Sequence, residues 1–320
     1  MITATKMLYL YTETPLHVGS GSGLSSIDLP IQRERTTQYP MIQGSGIKGK
    51  LRAAAEFTEL PDLDILFGSS KTEGKNENPS ATNDENKDHA GALIVGDARI
   101  LLFPVRSLNG IFAYTTSCNV LNRFIRDIGR GKADSPINWA ISALPEISQT
   151  ETPQALITSS RELVASDNAL VLEEFSFKAI PNPEVDRIAQ WLANNTLPLY
   201  GDREEGAYWQ KKIQSSLVIL PDNDFRDFAL YATEVITRIK IERKSKTVED
   251  GALWTEEHLP TDTLLYAPIY ATNSRKNGHT KTGAEILEIA SNLNKTPGSY
   301  LQLGGDETVG RGIVRTRWGS

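Results

Sequence analysis

PLHVGSGSGLSSIDLPIQRERTTQYPMIQGSGIKGKLR, residues 15–52, holds two glycine-rich runs, one histidine, one aspartate and five Lys/Arg residues. Glycine at that density marks backbone that turns sharply or comes close to a ligand. The second run, Gly44-Ser45-Gly46-Ile47-Lys48-Gly49, has the spacing of a dinucleotide-binding turn. Read on to Lys50, it almost spells a phosphate-binding loop. Both motifs belong to parallel α/β folds, so their fate decides the fold class. The first fails because the strand–helix–strand alternation it needs is missing. Asp62 and Asp64, near the right distance for a ribose contact, follow Pro61 instead of ending a strand. The second fails because Leu51 stands where an NTPase loop needs a hydroxyl for magnesium. What survives is shared physics: a helix start rich in N–H groups, with Lys48, Lys50 and Arg52 beside it, is a cradle for a phosphate backbone.

Outward from this stretch, hydrophobic periodicity gives few helices and many strands. Ile47, Leu51, Ala54 and Ala55 repeat at helical spacing before Pro61, and Val120 to Ile128 form a stripe ending at Gly129. Asn182-Pro183-Glu184 opens a third helix, and residues 223–232 and 283–294 give two more. Strands are expected at 6–11, 92–103, 169–179, 215–220, 234–243, 263–271, 299–303 and 312–318. This mixture predicts an α+β fold, with helices on one side of a mainly antiparallel sheet. A ferredoxin-like arrangement, as in RNA-recognition modules, is one natural solution. Residues 69–91 hold almost no apolar side chains and read as a mobile insertion. Residues 235–270 read as a hairpin, with a turn at Glu249-Asp250-Gly251 and a second strand over Thr263–Tyr270. Its Arg238 and Lys240 share one face, and Arg243, Lys244 and Lys246 follow, so it could lie along a polyanion.

The chain has 320 residues, 39% of them hydrophobic and 23% charged, which fits a soluble globular protein. No apolar run approaches the ~20 residues that span a bilayer. The N-terminus lacks an export-signal pattern, and the single cysteine, Cys118, fits a reducing, cytoplasmic setting. A net charge of −6 argues against nucleic-acid binding by bulk electrostatics, but not against a local basic groove on a subunit of an assembly.

Asp28 sits in a Ser/Gly loop, where an aspartate is ordinarily a turn residue. His17 precedes the same loop and can face the same pocket. A histidine and a carboxylate beside a phosphate cradle can supply base, acid or metal ligand for phosphodiester cleavage. Glu256, Glu257 and His258 add further groups at the hairpin. Gly304–Gly312, with Gly305 and Arg311, forms a second glycine-rich loop between strands, from which Arg311 can grip a phosphate. Zinc-type Cys/His spacing and a GxSxG elbow are both missing from the sequence.

Five segments in order, TPLHVGSGSGLSSIDLPIQRE, GSGIKGKLR, GDARILLFPVRSLNG, GALWTEEHLPTDTLLY and GGDETVGRG, resemble backbone subunits of the type III-B CRISPR effector, the Cmr complex, within the RAMP superfamily. The resemblance runs from end to end. It implies one RAMP domain over residues 1–320, with a modified ferredoxin-like palm and a protruding β-hairpin thumb. It also implies a filament of copies along a CRISPR guide RNA, alongside other Cmr subunits, in antiviral defence. Complementary single-stranded target RNA would be cut opposite each copy with a divalent metal ion, Mg2+ or Mn2+. Asp28 matches the family's cleaving aspartate and would hold that ion or orient a 2′-hydroxyl. His17 is its neighbour, and Glu256 and Glu257 match an acidic pair. His258 departs from the family pattern, which often has an aromatic there. Gly44–Arg52 and the loop of Gly305 and Arg311 match regions that contact the guide backbone. A non-catalytic guide-binding scaffold of the same complex is the alternative.

Overall fold

A computed structural model describes residues 1–23, 26–69, 89–129, 147, 153–198, 204–293 and 300–319. Most of the insertion expected at 69–91 therefore lies outside the described residues. The first half of the chain folds as β1 (Ala4–Thr12), β2 (Met41–Ile42), α1 (Gly44–Phe57), α2 (Leu63–Phe67), β3 (Leu93–Val95), β4 (Ala98–Arg106), β5 (Phe112–Ser117) and α3 (Cys118–Gly129). Next come β6 (Gln154–Ile157), β7 (Ala169–Leu172), β8 (Phe175–Pro181), α4 (Pro183–Asn195), α5 (Glu204–Ser216), β9 (Leu217–Leu220) and α6 (Asp222–Tyr231). The chain closes with β10 (Glu234–Ile241), β11 (Val248–His258), β12 (Leu264–Ala271), α7 (Gly283–Asn292), β13 (Tyr300–Gln302) and β14 (Ile313–Trp318).

One large sheet runs β13-β14-β1-β12-β4-β5-β9-β6-β8-β7, with β2 against β4 and β3 against β12. Among the described ladders of this sheet, β5/β9 and β6/β8 are parallel and the others antiparallel. The mixed, mostly antiparallel architecture expected from the sequence is therefore present. β1 lies between β14 and β12, so both of its edges are paired, and the burial of successive residues Leu8, Tyr9, Leu10 and Tyr11 shows that both of its faces are covered. Ile47 and Leu51 of α1 are core residues, which explains why position 51 carries leucine. Asn182 caps α4, its side chain accepting from Glu184 N–H at 2.9 Å, and Thr282 with Glu285 forms a capping box on α7.

Several expected boundaries move. The run at 92–103 breaks at Gly96–Asp97, where Gly96 N–H turns to the Pro268 carbonyl at 2.9 Å. The run at 169–179 is two antiparallel strands, turning at Glu173 with φ +49°. β5, β6 and α5 carry weak or short patterns and were not expected. The hairpin is β10 paired with β11, a separate two-stranded sheet, so it spans 234–258 and not 235–270. Its turn comes earlier than expected. Ser245 donates to the Glu242 carboxylate at 2.6 Å and Lys246 N–H to the Glu242 carbonyl at 3.0 Å, closing the chain there. Leu264–Ala271 is apolar throughout, so it is buried beside β1 instead of pairing in a projecting arm.

Candidate functional site

The root of the hairpin organises the site. Side chains alternate along β11, so Thr255 and Glu257 project one way and Trp254, Glu256 and His258 the other. Their partners bear this out.

On the first face, Asp28 docks onto Thr255. Its Oδ2 accepts from Thr255 N–H at 2.8 Å and from the Thr255 hydroxyl at 2.9 Å. The main chain follows, with Leu29 N–H to the Thr255 carbonyl and Glu257 N–H to the Leu29 carbonyl, each at 3.0 Å. The Thr255 backbone bond, then its hydroxyl, hold the Asp28 carboxyl below the usual aspartate range, and the residue is exposed. Glu257 is the bolt beneath. It is 2% exposed and accepts from Ile31 N–H at 3.0 Å and Thr233 Oγ1 at 2.8 Å, and it pairs with Arg33. His17 Nδ1 lies 2.6 Å from the Glu257 carbonyl, which can only accept, so Nδ1 is the donor.

On the opposite face, Glu256 is 6% exposed and accepts from Trp254 Nε1 and from Arg238 Nε, each at 2.7 Å. Burial raises its pKa, but these two donors outweigh burial and the net shift is downward. Arg238 also meets Asp306 at 2.6 Å, through Nη2. His258 is fully buried, with Nε2 3.9 Å from Glu256 Oε2 and 3.7 Å from Asp306 Oδ2. Burial, then His17 and Arg311, push its pKa down, so the ring is neutral. Among the described residues, Glu256, His258 and Asp306 form a group able to share a metal ion, and Asp28 is not in it. The expected trio of Asp28, His17 and Glu256 makes no direct hydrogen bond or ion pair among the described contacts: Asp28 is held by Thr255, His17 by the Glu257 carbonyl with its ring 5.4 Å from that of His258, and Glu256 by Trp254 and Arg238.

The C-terminal glycine loop closes over His17. Gly305 N–H donates to the His17 carbonyl at 2.9 Å, and Gly304 has φ +74° with its missing Cβ only 2.1 Å from that oxygen. Gly304→Ala is therefore expected to cost at least about 2 kcal/mol, from left-handed strain plus overpacking, read as a lower urea midpoint. Arg311 lies near His258 and Glu234 electrostatically.

The expected cradle at α1 is partly closed from within. Gly44 N–H donates to Asp97 Oδ1 at 2.8 Å, so a carboxylate already sits at the positive end of the helix. Gly44 is required for packing, because a Cβ there would lie 2.3 Å from the Val95 carbonyl. Ser45, Gly46 and Gly49 are exposed, and nothing lies within 4 Å of a Cβ at either glycine. Lys48 reaches the Leu93 carbonyl at 3.0 Å, Lys50 the Gln302 amide oxygen at 2.9 Å, and Arg52 pairs with Glu56 at 2.9 Å. On the hairpin, Lys240 pairs with Glu249 at 2.6 Å, while Arg243, Lys244 and Lys246 are exposed near its turn.

Sequence reasoning missed Thr255, Asp306 and Trp254. Period-two reading of LWTEEH would have separated 254, 256 and 258 from 255 and 257, but Asp306 had no local signal. The RAMP superfamily profile matches residues 9–315. The chain is 38% identical over 316 residues to "CRISPR system Cmr endoribonuclease Cmr4" of Pyrococcus furiosus, covering 96% of this chain and 92% of that protein. It is 28% identical over 327 residues to "CRISPR system CMR subunit Cmr4" of Saccharolobus solfataricus, covering 99% and 97%. The crystal structure of oligomeric Cmr4 from Pyrococcus furiosus superposes with a TM-score of 0.69 at 30% identity, covering 98% of this chain and 97% of that one. The chain belongs to the RAMP superfamily, as a member of its Cmr4 group.

Proposed function

We propose that this chain is the guide-RNA-binding backbone subunit of a type III-B CRISPR complex and cuts the target RNA paired to that guide. The observation that carries the reading is Asp28, a charged and exposed carboxylate fastened by Thr255 to the root of a projecting hairpin. The similarity to a Cmr endoribonuclease supports it. Strand order β14-β1-β12-β4, with α1 between β1 and β4 and α7 between β12 and β14, supports a ferredoxin-like palm.

The hairpin is the thumb. Ile239 faces Leu253 and Ile241 faces Val248 across it, and all four are at least 47% exposed. Apolar side chains left in water at the tip of an arm suit a wedge between base pairs. A duplex opened there loses stacking at one step, which frees the target linkage for in-line attack by its own 2′-hydroxyl, closing a 2′,3′-cyclic phosphate as the bond to the 5′-oxygen breaks and that oxygen leaves with a proton from solvent. Asp28 accepts a hydrogen bond from that hydroxyl and turns it toward the phosphorus. We assign His17, in the adjoining loop, as the base that takes its proton. Because the Asp28 pKa is lowered, its charge is present above the ordinary aspartate value and is lost only as pH falls below it. Asp28 belongs to no group of three or more possible metal ligands among the described residues.

The guide backbone runs past the exposed Ser45–Gly49 face of α1, with Lys48, Lys50 and Arg52 beside it, and past Gly305 and Arg311. Copies of this chain and other Cmr subunits complete the filament, in the cytoplasm. Among the described residues, no helix is long and apolar enough to cross a membrane.

Two measurements test this reading. A complex reconstituted with a guide should cut complementary RNA at evenly spaced positions, and a complex that binds target without cutting it would leave a scaffold. Removing Arg243, Lys244 and Lys246 together should weaken RNA binding for every sequence alike. The slope of log affinity against log salt should shrink by about 2, from about 0.7–0.9 per phosphate contact. An unchanged slope would place the RNA elsewhere.

A further inference from the structure

We infer that Glu256, His258 and Asp306 form a binding site for one first-row divalent metal ion, with Arg238 as a competing cation on two of the same oxygens. The three residues each offer one ligand atom within 4.8 Å of the others, and His258 Nε2 lies closest to Glu256 Oε2 and Asp306 Oδ2. With sides of 3.9 and 3.7 Å from His258, the triangle has a centre about 2.1–2.5 Å from each atom. That is close to the ~2.0–2.2 Å of imidazole and carboxylate ligands.

The independent sign of a ligand is His258. Its side chain is fully buried, and neither ring nitrogen has a hydrogen-bond partner. An imidazole taken out of water with both nitrogens unpaired is costly unless something else satisfies it. Nε2 is aimed at two carboxylates that also carry the charge an ion needs. Arg238 spans the two oxygens that flank the site, with Nε 2.7 Å from Glu256 Oε2 and Nη2 2.6 Å from Asp306 Oδ2. The guanidinium lies against the same two oxygens that would bind the cation, and like charge makes the two compete. Arg238 lies on β10 with 27% of its side chain exposed, so it can swing outward as the ion enters.

One imidazole with two carboxylates favours Mn2+ or Zn2+ over Mg2+, which prefers an all-oxygen shell. The ion would join the C-terminal glycine loop to the hairpin through Asp306 and β11. It would also release Arg238 at the hairpin root, where it can grip a phosphate. The site itself is independent of the cleavage reading, whereas this last consequence rests on it.

The test uses the full-length chain, stripped of metal by a chelator and free of RNA, titrated with Mn2+ and read by the electron paramagnetic resonance of the unbound ion. One equivalent should bind and be displaced by Zn2+ but not by an equal concentration of Mg2+. Asp306→Asn should weaken binding at least about tenfold. Asparagine tolerates the left-handed backbone of position 306, with φ +60°, so this variant keeps the loop intact. His258→Gln should weaken binding similarly. Arg238→Met should tighten it several-fold by removing the competitor, and Asp28→Asn should leave it unchanged. The proposal is overturned by absence of saturable binding, by wild-type affinity in Asp306→Asn, or by Arg238→Met binding no tighter. Loss of binding in Asp28→Asn would move the ion to that carboxylate and equally overturn it. Because no RNA is present, failure of the cleavage reading would leave every one of these results standing.

Discussion

Asparagine at position 28 is expected to lower target cleavage about 10²–10⁴-fold, the usual reach of a positioned acid–base group, while guide and target binding stay at the wild-type level. The substitution is chosen because an amide oxygen can still accept both bonds that Thr255 donates to Asp28. The loop should therefore remain docked, and only the charge is lost. Single-turnover cleavage of a complementary RNA by the guide-loaded complex measures the first quantity, and filter binding the second. Cleavage at the wild-type rate would remove Asp28 from the chemistry. A parallel fall in binding would show instead that the loop holds RNA and does not cut it. The pH profile gives a second handle. A carboxyl with a lowered pKa keeps its charge throughout the neutral range, so no loss of rate through Asp28 should appear until pH falls below about 3.9, the ordinary aspartate value.

The largest effect on stability is expected from Glu257→Ala. The Glu257 carboxylate is 2% exposed and gathers Ile31 N–H, the Thr233 hydroxyl and the Arg33 guanidinium. Arg33 has 12% of its side chain exposed, and it also donates to the Gln38 and Ala229 carbonyls at 2.8 and 2.9 Å. Removing Glu257 leaves that guanidinium without its counter-charge and one buried amide without an acceptor. Breaking a buried pair in this way costs about 3–5 kcal/mol. Urea unfolding should show a midpoint lowered accordingly. Cleavage should fall as well, because Leu29 and Ile31 carry the aspartate loop on this same support. Substituting both partners, Arg33→Met with Glu257→Leu, should recover part of the stability but not the cleavage. A Glu257→Ala protein as stable as wild type would show that the loop is held by its backbone bonds alone.

Glu256 and Glu257 are adjacent in sequence and of one residue type, yet they serve opposite faces of one strand. Local sequence places both in an acidic pair and cannot rank them. Strand alternation separates them, and the identity of their partners, Arg33 for one and Arg238 for the other, is set by which loops pack on each face. The glycines of residues 44–49 divide in the same way. Gly44 is a packing glycine pressed against β3, whereas Gly46 and Gly49 lie open to solvent. The spacing that imitates a nucleotide-binding turn contains both kinds without distinction.

Much was legible from the chain alone because it rests on short-range physics. Sequence patterns located α1, α3, α4, α6 and α7, capping residues marked the start of α4, and apolar runs located β1, β12 and β14. The failed context of Gly44–Lys50 argued against a parallel nucleotide-binding fold. Ordered motifs pointed to the family and to Asp28. What only the folded chain decides is contact between residues far apart in sequence. Thr255 against Asp28 is a separation of 227 residues, and no local rule links them. The same is true of Asp306 beside Glu256 and His258, and of Leu264–Ala271 turning into the main sheet instead of extending the hairpin. Periodicity reports which face of an element is apolar. Which other element covers that face, and which charge is buried against which, follows from the closure of the whole sheet.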